Sequence, residues 1–357
     1  MAAPHTPPPH DIGGRHHAPI AQQDHDYAHW EKEADAIRML LADGRRRLFT
    51  TDESRRVQEQ LDDSTYWKTP YYERWIHAFS SLLIEKGVLP LPRIEAEEAR
   101  LRAAGEDRVE GTAAGTQADH DHDHDHEHDH DHDHDHPYQE DHDAHVDILS
   151  PLRLRGVAVR NLLLADGVLN AAEIRDEIAR MDSRGTHNGA RVVARAWTDP
   201  AFAARLAADA GSAVQELGLA KGETVLTALF NTAETHNLVV CTLCSCYPRS
   251  VLGRPPAWYK SRAYRARAVR DPRGILAEFG TILPEGTTIR VHDSNGELRY
   301  LVVPERPAGT EGWDEGRLQT LVTRDSMIGV ARARQPGRKE TTRDDRQARE
   351  VARLCAG

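Results

Sequence analysis

The chain has 357 residues, which is enough for about two domains of ordinary size. Its formal net charge is −11, but the acidic residues are concentrated in one tract, so we expect no basic face for nucleic acid. No apolar run approaches the roughly 18–20 residues that cross a bilayer, and the first residues lack the apolar stretch of a signal peptide. A cytoplasmic protein that binds neither nucleic acid nor membranes is therefore expected, and its four cysteines predict no disulfide framework.

The N-terminal part predicts a short arm followed by a helical domain. Residues 1–18 are rich in proline and histidine, and we expect them to form a disordered arm. Within residues 19–105, apolar side chains recur at helical spacing from Trp30 to Leu41, which predicts the first helix of this domain.

Two further helices are marked by signals at their starts. Thr50 followed by Glu53 has the pattern of a capping box, in which each side chain bonds the backbone of the other residue. Thr69 is the predicted N-cap of the next helix, with Pro70 at its first helical position. Three helices of this size contain few apolar residues, so we expect this domain to pack on another part of the protein.

Residues 106–145 predict a disordered linker, because His alternates with an acidic residue from Asp119 to His136. The alternation has the period of a strand, but neither face is apolar and nothing could be buried. The tract is expected to act as a tether. A compatible second hypothesis is that its imidazoles and carboxylates buffer a divalent transition metal such as cobalt, nickel or zinc.

Residues 146–334 predict a second domain in which helices precede strands. Asn170 with Glu173 marks one helix start, and a long helix is predicted from Pro200 until Gly218 ends it.

Four strand patterns follow in the second half of this domain: TVLTALF, NLVVCTL, TTIRVHD and RYLVVPER. Asn295–Gly296 between the last two is a strong hairpin signal. Because helices come before a sheet-rich half, the order favours an α+β or layered α/β fold rather than a regular βαβ repeat. Residues 335–357 predict a charged tail.

Three of the four cysteines, Cys241, Cys244 and Cys246, lie within six positions. A structural zinc site closes four ligands, usually in two separated pairs, and iron–sulfur clusters generally need four cysteines. A thioredoxin-type pair precedes a helix, but the residues after Cys246 are too rich in proline for one to begin at once. Three inert buried thiols remain as one interpretation, and a metal site within a single loop as the other.

Such a loop can present an octahedral type of site with one open position. The sulfurs of Cys244 and Cys246 and the backbone nitrogens of Ser245 and Cys246 can form a roughly planar set, while Cys241 caps one side. A metal acidic enough to ionise amides is trivalent rather than zinc, and the open position indicates Lewis-acid catalysis.

Several segments between about Ala194 and Val330 closely resemble the alpha subunit of nitrile hydratase and the gamma subunit of thiocyanate hydrolase: VCTLCSCYP, VLGRPPAWYKSRAYRARAVRDPR, ELRYLVVPERPAGTEGW and LVTRDSMIGV. Others resemble the N-terminal part of the hydratase beta subunit: HDIGG, HWEKEA, TDESRRVQEQL and TPYYERW. The chain therefore looks like a beta-type N-terminal segment fused to a layered α/β catalytic domain of the alpha type.

We call residues 241–246 the claw, and the resemblance implies roles for its three cysteines, for Ser245 and for Thr242. Cys241 would be an unmodified thiolate, Cys244 a sulfinate and Cys246 a sulfenate, and the amide nitrogens of Ser245 and Cys246 would complete the metal site. Thr242 implies Co(III) rather than iron.

Further site residues are implied in the beta-type segment. Arg55 stands where the family has a claw-binding arginine, and Tyr71 and Tyr72 stand where it sends tyrosines towards the pocket. Packing at the start of a helix is the other interpretation of the two tyrosines.

The implied reaction is hydration of a nitrile to its amide, with a hydroxide or the sulfenate oxygen of Cys246 as nucleophile. Arg249 stands where the hydratases usually carry Trp. The sequence KGE, which begins at Lys221, stands where Gln-Gly-Glu is common in the hydratases. Such cations favour a small anion, so hydrolysis of thiocyanate to carbonyl sulfide and ammonia is the alternative. Arg249 could also pair with an acid at a subunit contact. A metal-binding or storage protein without catalysis is the third hypothesis.

Two partners are also implied. A separate β-barrel subunit is expected to cover the claw and supply a second arginine, because the chain lacks the C-terminal half of the hydratase beta subunit. An activator protein is expected to insert cobalt and allow oxidation of the cysteines.

Overall fold

The chain is described by a computed structural model covering residues 12, 18–24, 26–110, 146–222 and 224–337. The helices are α1 (His29–Ala42), α2 (Thr51–Glu59), α3 (Asp63–Lys68), α4 (Tyr71–Glu85), α5 (Leu91–Ala103), α6 (Pro151–Ala165), α7 (Ala171–Asp182), α8 (Thr186–Thr198), α9 (Pro200–Ala208), α10 (Ala210–Ala213), α11 (Arg249–Leu252), α12 (Ala257–Lys260), α13 (Arg262–Arg267), α14 (Pro272–Glu278), α15 (Glu315–Gln319) and α16 (Arg324–Ile328). The strands are β1 (Arg108–Glu110), β2 (Val146–Ile148), β3 (Val225–Phe230), β4 (Thr235–Val240), β5 (Thr288–Asp293) and β6 (Leu298–Val303). Helices thus precede most of the strands, which confirms the predicted α+β class.

Most of the predicted arm, the predicted linker and the predicted tail lie outside the described residues. Among the helices that are described, none combines the length and the apolar character that a membrane crossing needs.

The chain divides into two compact units, which are Asp26–Arg180 and, as the second, Ile12–His25 with Met181–Gly357. In the first unit α4 packs against α1, α2 and α6, and α5 packs against α6. The apolar face of α6 is therefore buried among the N-terminal helices, and the unit boundary does not coincide with the domain start predicted at residue 146.

A short antiparallel ladder flanks the segment 111–145. Strand β1 pairs with β2, with Glu110 opposite Val146 and Arg108 opposite Ile148. The N–H of Leu149 also donates to the carbonyl of Asp107 at 2.8 Å, which extends the pairing by one step.

The helix starts of the first unit follow the predicted signals with one exception. The capping box at α2 is present: the N–H of Glu53 donates to Thr50 Oγ1 at 3.2 Å, and the N–H of Thr50 donates to Glu53 Oε2 at 2.7 Å. The predicted start at Pro70 is wrong by one residue, because Pro70 is itself the N-cap of α4. Thr69 instead ends α3 and donates its hydroxyl to the carbonyl of Thr65 at 2.7 Å.

We expect the variant Thr50→Ala to lower the free energy of unfolding by about 1 kcal/mol, because the N–H of Glu53 loses its acceptor. Urea unfolding followed by circular dichroism measures the change. Thr50→Ser keeps the hydroxyl and serves as the control, with an expected change of a few tenths of a kcal/mol. An equal loss in both variants would contradict the capping role.

Two parallel strand pairs lie at the centre of the second unit. β3 pairs with β6, and β4 pairs with β5, with Val240 opposite Asp293. The predicted hairpin of the last two strands is therefore wrong. Asn295 does form a tight turn, because its Oδ1 accepts the N–H groups of Glu297 and Leu298 at 2.9 and 3.0 Å. The strands on either side of this turn nevertheless take different, distant partners.

The long helix predicted from Pro200 is broken at Asp209. The carboxylate of Asp209 accepts the N–H of Ser212 at 3.0 Å, so this residue ends α9 and caps α10. A 3₁₀ turn over Val214–Leu217 follows, and Gly218 ends it with φ at +73° as predicted.

A short stretch before α1 packs onto the second unit. Ile20 is buried in the core of this unit, and Ile12, which falls in the predicted disordered arm, is only 2% exposed. Asp24 accepts the N–H of Ala257 at 3.0 Å and pairs with Arg324 at 2.6 Å. Hydrogen bonds and the buried side chain of Ile20 thus hold residues 18–24 in place.

Candidate metal centre

The claw begins where β4 ends, and it brings the three predicted cysteines together. The Sγ atoms of Cys241 and Cys244 are 3.5 Å apart, and those of Cys244 and Cys246 are 3.2 Å apart. All three sulfurs lie within 4.8 Å of one another. This is the separation expected of ligands that can share one metal ion.

The backbone of the claw turns its amide groups inward. Ser245 has φ at +119°, a conformation that non-glycine residues adopt only when the surrounding structure enforces it. The N–H of Cys244 lies 3.3 Å from the Sγ of Cys241, and the N–H groups of Ser245 and Cys246 also bond this sulfur. Three soft sulfurs and inward-facing amides fit a transition-metal ion, with Cys241, Cys244, Ser245 and Cys246 as the residues that would hold it.

Burial and mutual hydrogen bonding separate the acidities of the thiols. Bonds from Cys244 and Cys246 hold the pKa of Cys241 well below its ordinary value, although burial acts in the opposite direction. Bonds to Cys241 and Cys244, with burial, raise the pKa of Cys246. Cys241 and Cys246 are both almost fully buried, at 0% and 7% exposed.

Thr242 is held by the neighbouring strand β5. Its N–H and its hydroxyl both donate to the carboxylate of Asp293, at 2.9 and 2.6 Å. The parallel register explains this contact, because Asp293 lies opposite Val240 at the carboxyl end of the pair. Burial raises the pKa of Asp293, and the two bonds from Thr242 lower it.

Three buried side chains from α12 and α13 hold the backbone of the same loop. Tyr259 Oη donates to the carbonyl of Cys246 at 2.7 Å, and Tyr264 Oη donates to the carbonyl of Val239 at 2.6 Å. Arg265 bonds the carbonyls at the start of the claw. These three residues and Asp293 were not predicted from the sequence to be part of the site. The one sequence signal that could have indicated them is their position within or close to the segments that resemble the family.

Comparison with known proteins agrees with this geometry. A family model described as nitrile hydratase, alpha chain, matches residues 150–331. The alpha subunit of the high-molecular weight cobalt-containing nitrile hydratase of Rhodococcus rhodochrous is 47% identical over 196 residues, covering 54% of this chain and 96% of that protein. The chain belongs to the nitrile hydratase alpha-chain family.

Thiocyanate hydrolase is similar to the same part of this nitrile hydratase-type chain. The gamma subunit of thiocyanate hydrolase from Thiobacillus thioparus is 41% identical over 198 residues, covering 52% of this chain and 82% of that subunit. A crystal structure of a thiocyanate hydrolase mutant matches with a TM-score of 0.51 and 37% identity, covering 55% of this chain and 97% of that one.

The N-terminal part matches a second family model, described as nitrile hydratase beta subunit, N-terminal, over residues 8–130. The predicted combination of a beta-type N-terminal segment with an alpha-type domain in one chain is confirmed.

Arg249, the residue that departs from the hydratase pattern, begins α11 just after the claw. Its side chain is half-buried, and its Nη2 lies 3.7 Å from the Sδ of Met181. Its role in substrate choice stays a prediction.

The predicted site residues of the beta-type segment lie in the first unit. Arg55 is on α2, where its guanidinium pairs with Asp52 at 3.3 Å. Tyr72 is 3% exposed and makes edge-to-face contacts with Tyr27 and Tyr71, at 5.8 and 5.1 Å between ring centroids. The roles of Arg55, Tyr71 and Tyr72 in the site stay predictions.

A cavity of about 680 Å³ lies at the other end of β4 from the claw. Its lining includes His236, whose Nε2 lies 2.6 Å from the carbonyl oxygen of Gly329. Nε2 donates this bond, because a carbonyl oxygen can only accept, and burial lowers the pKa of His236. The residues that line this cavity include none of the claw, so the cavity is separate from the metal centre.

Proposed function

We propose that the chain is a cobalt-dependent nitrile hydratase, which adds water to a nitrile to give the corresponding amide. The observation that carries this proposal is the claw itself, in which three sulfurs and inward-facing amides converge in one loop. Relatives named as cobalt-containing nitrile hydratases, including the Rhodococcus rhodochrous subunit, support cobalt as the metal.

When bound, Co(III) supplies a Lewis acid that polarises the nitrile or lowers the pKa of water. The chain holds the three sulfurs in a largely buried loop, and Cys246, once oxidised to a sulfenate, offers an oxygen nucleophile. Arg55 is proposed to donate hydrogen bonds to the oxidised sulfurs, and Tyr71 and Tyr72 to line the pocket and move a proton. The reaction adds one water across the triple bond without oxidation or reduction of substrate.

Thiocyanate hydrolysis is the second candidate, and Arg249 is the observation that favours it. A half-buried cation that begins the helix after the claw can attract a small anion more strongly than an apolar nitrile. The similarity to the thiocyanate hydrolase gamma subunit supports the same candidate.

The variant Arg249→Trp is expected to lower kcat/KM for thiocyanate about tenfold or more while leaving that for an aliphatic nitrile within a few-fold, since a lost charge contact costs about 1.5–3 kcal/mol. Steady-state assays of both substrates measure the effect. Arg249→Lys is the control, because it keeps the charge and should keep most of the thiocyanate activity. Equal losses with both substrates would show that Arg249 does not select between them.

The test of the proposed function uses the full chain produced in cobalt medium, alone and with a separately encoded barrel subunit and an activator protein. Amide formed from acetonitrile, and carbonyl sulfide and ammonia formed from thiocyanate, are measured on the same preparations. Amide as the main product supports the hydratase. Mass spectrometry of the tryptic claw peptide completes the test, because three plain thiols and no product from the complete, cobalt-loaded assembly would favour a storage protein.

A further inference from the structure

Arg265 on α13 is a buried cation directly behind the claw. It is only 1% exposed, which is rare for a guanidinium. Its Nη2 donates to the carbonyl of Thr242 at 2.8 Å, and its Nε donates to the carbonyl of Cys241 at 3.3 Å. One side chain thus bonds two successive peptide groups at the start of the claw.

The peptide group that joins Cys241 to Thr242 is held at both of its polar ends. Its carbonyl accepts from Arg265, and its N–H donates to the carboxylate of Asp293. A peptide fixed in this way cannot rotate without breaking a bond in a buried region. Because this peptide directly follows Cys241, fixing it constrains the backbone at the start of the claw.

The buried position of Arg265 also depends on the charges around it. A guanidinium removed from water costs several kcal/mol unless opposite charge lies near it. Asp293 interacts electrostatically with Arg265, and it also interacts with Cys241. The metal-bound claw would add the negative charges of the remaining thiols, which a cation behind the loop stabilises.

We propose that Arg265 is a positioning residue of the metal centre, which fixes the Cys241–Thr242 peptide and compensates the negative charge of the claw sulfurs. This inference rests on the proposed metal-dependent function, and it concerns a residue that touches the loop rather than the substrate. Substitution of Arg265 is therefore expected to lower the affinity for the metal, and to lower activity as a consequence.

A matched control lies two residues along the same helix. Arg267 is also largely buried, with 11% of its side chain exposed, but it pairs with Asp271 and Glu278 and does not touch the claw backbone. The full-length variants Arg265→Met, Arg265→Lys and Arg267→Met are compared with the unsubstituted chain. Circular dichroism and thermal unfolding show whether each variant is folded.

Two measurements separate positioning from general stability. The first is the apparent affinity for cobalt, from metal content and the sulfur-to-metal absorption band; we expect Arg265→Met to lower it about 10–100-fold and Arg265→Lys to recover part of the loss. The second is hydrogen–deuterium exchange of the peptide spanning residues 239–247 in the metal-free chain, which we expect to be faster in Arg265→Met alone.

The outcomes are distinct. Cobalt affinity and exchange unchanged in Arg265→Met, or losses of equal size in Arg267→Met, would overturn the role of Arg265. If the unsubstituted chain binds no cobalt, the proposed function fails, and the exchange measurement still decides whether Arg265 holds the claw backbone.

Discussion

The variant Cys241→Ser is expected to lose its cobalt and to lower turnover by more than about 100-fold, since removing even an outer partner of a metal ligand costs 10–100-fold. Cys241 is fully buried, and it accepts bonds from the other two thiols and from backbone N–H groups of the claw. A serine oxygen is a harder and less acidic donor than a thiolate, so it cannot replace the sulfur for this class of metal. Metal content per chain and product formation measure the effect.

Cys355→Ser provides the matched control for this experiment. Cys355 is the fourth cysteine of the chain and lies outside both the claw and the described residues. We expect this variant to keep full cobalt content and activity. Retention of one cobalt ion per chain by Cys241→Ser would contradict the assignment of Cys241 as a ligand.

The variant Gly329→Ala is expected to lower the free energy of unfolding by about 3 kcal/mol or more, through backbone strain and overpacking together. Gly329 ends α16 with φ at +91°, and a Cβ atom there would collide with the carbonyl of Asn237 on β4. The carbonyl of Gly329 also bonds His236 at the start of the same strand. Because β4 leads into the claw, cobalt content should fall with stability.

Gly312→Ala tests how much of this loss comes from backbone strain alone. Gly312 has φ at +76°, but a Cβ there would meet no atom within 4 Å. We expect a loss of only about 1–2 kcal/mol, which is the cost of the left-handed conformation. Urea unfolding measures both variants, and equal losses would show that the contact with Asn237 is unimportant.

The ligand set of the claw could be predicted from sequence because it is local. Its four residues lie within six positions, so their spacing limits the possible chemistry before any tertiary contact is known. The capping boxes were predictable for the same reason, since Thr50 and Glu53 lie within one helical turn. The start of α4 was misplaced by one residue because Pro70 fits both the N-cap and the first helical position.

Strand pairing could not be predicted in this way, because it depends on residues that are distant in sequence. Asn295 makes the expected turn, yet β5 pairs with β4 and β6 pairs with β3. A local turn signal gives no information about such partners. The residues that hydrogen-bond the claw backbone could not be predicted for the same reason. Asp293 and Arg265 contact it because of the strand register and the packing of α13.

The ladder between β1 and β2 brings together the two residues between which the His/Asp tract lies. Glu110 and Val146 are paired in this ladder, and the helices before and after it, α5 and α6, belong to the same unit. A segment attached in this way sets no distance between domains, so its length is under no geometric constraint. Each doubling of a loop costs only about 0.6 kcal/mol in closure entropy. Changes in the number of residues between Glu110 and Val146 should therefore cost the fold little free energy.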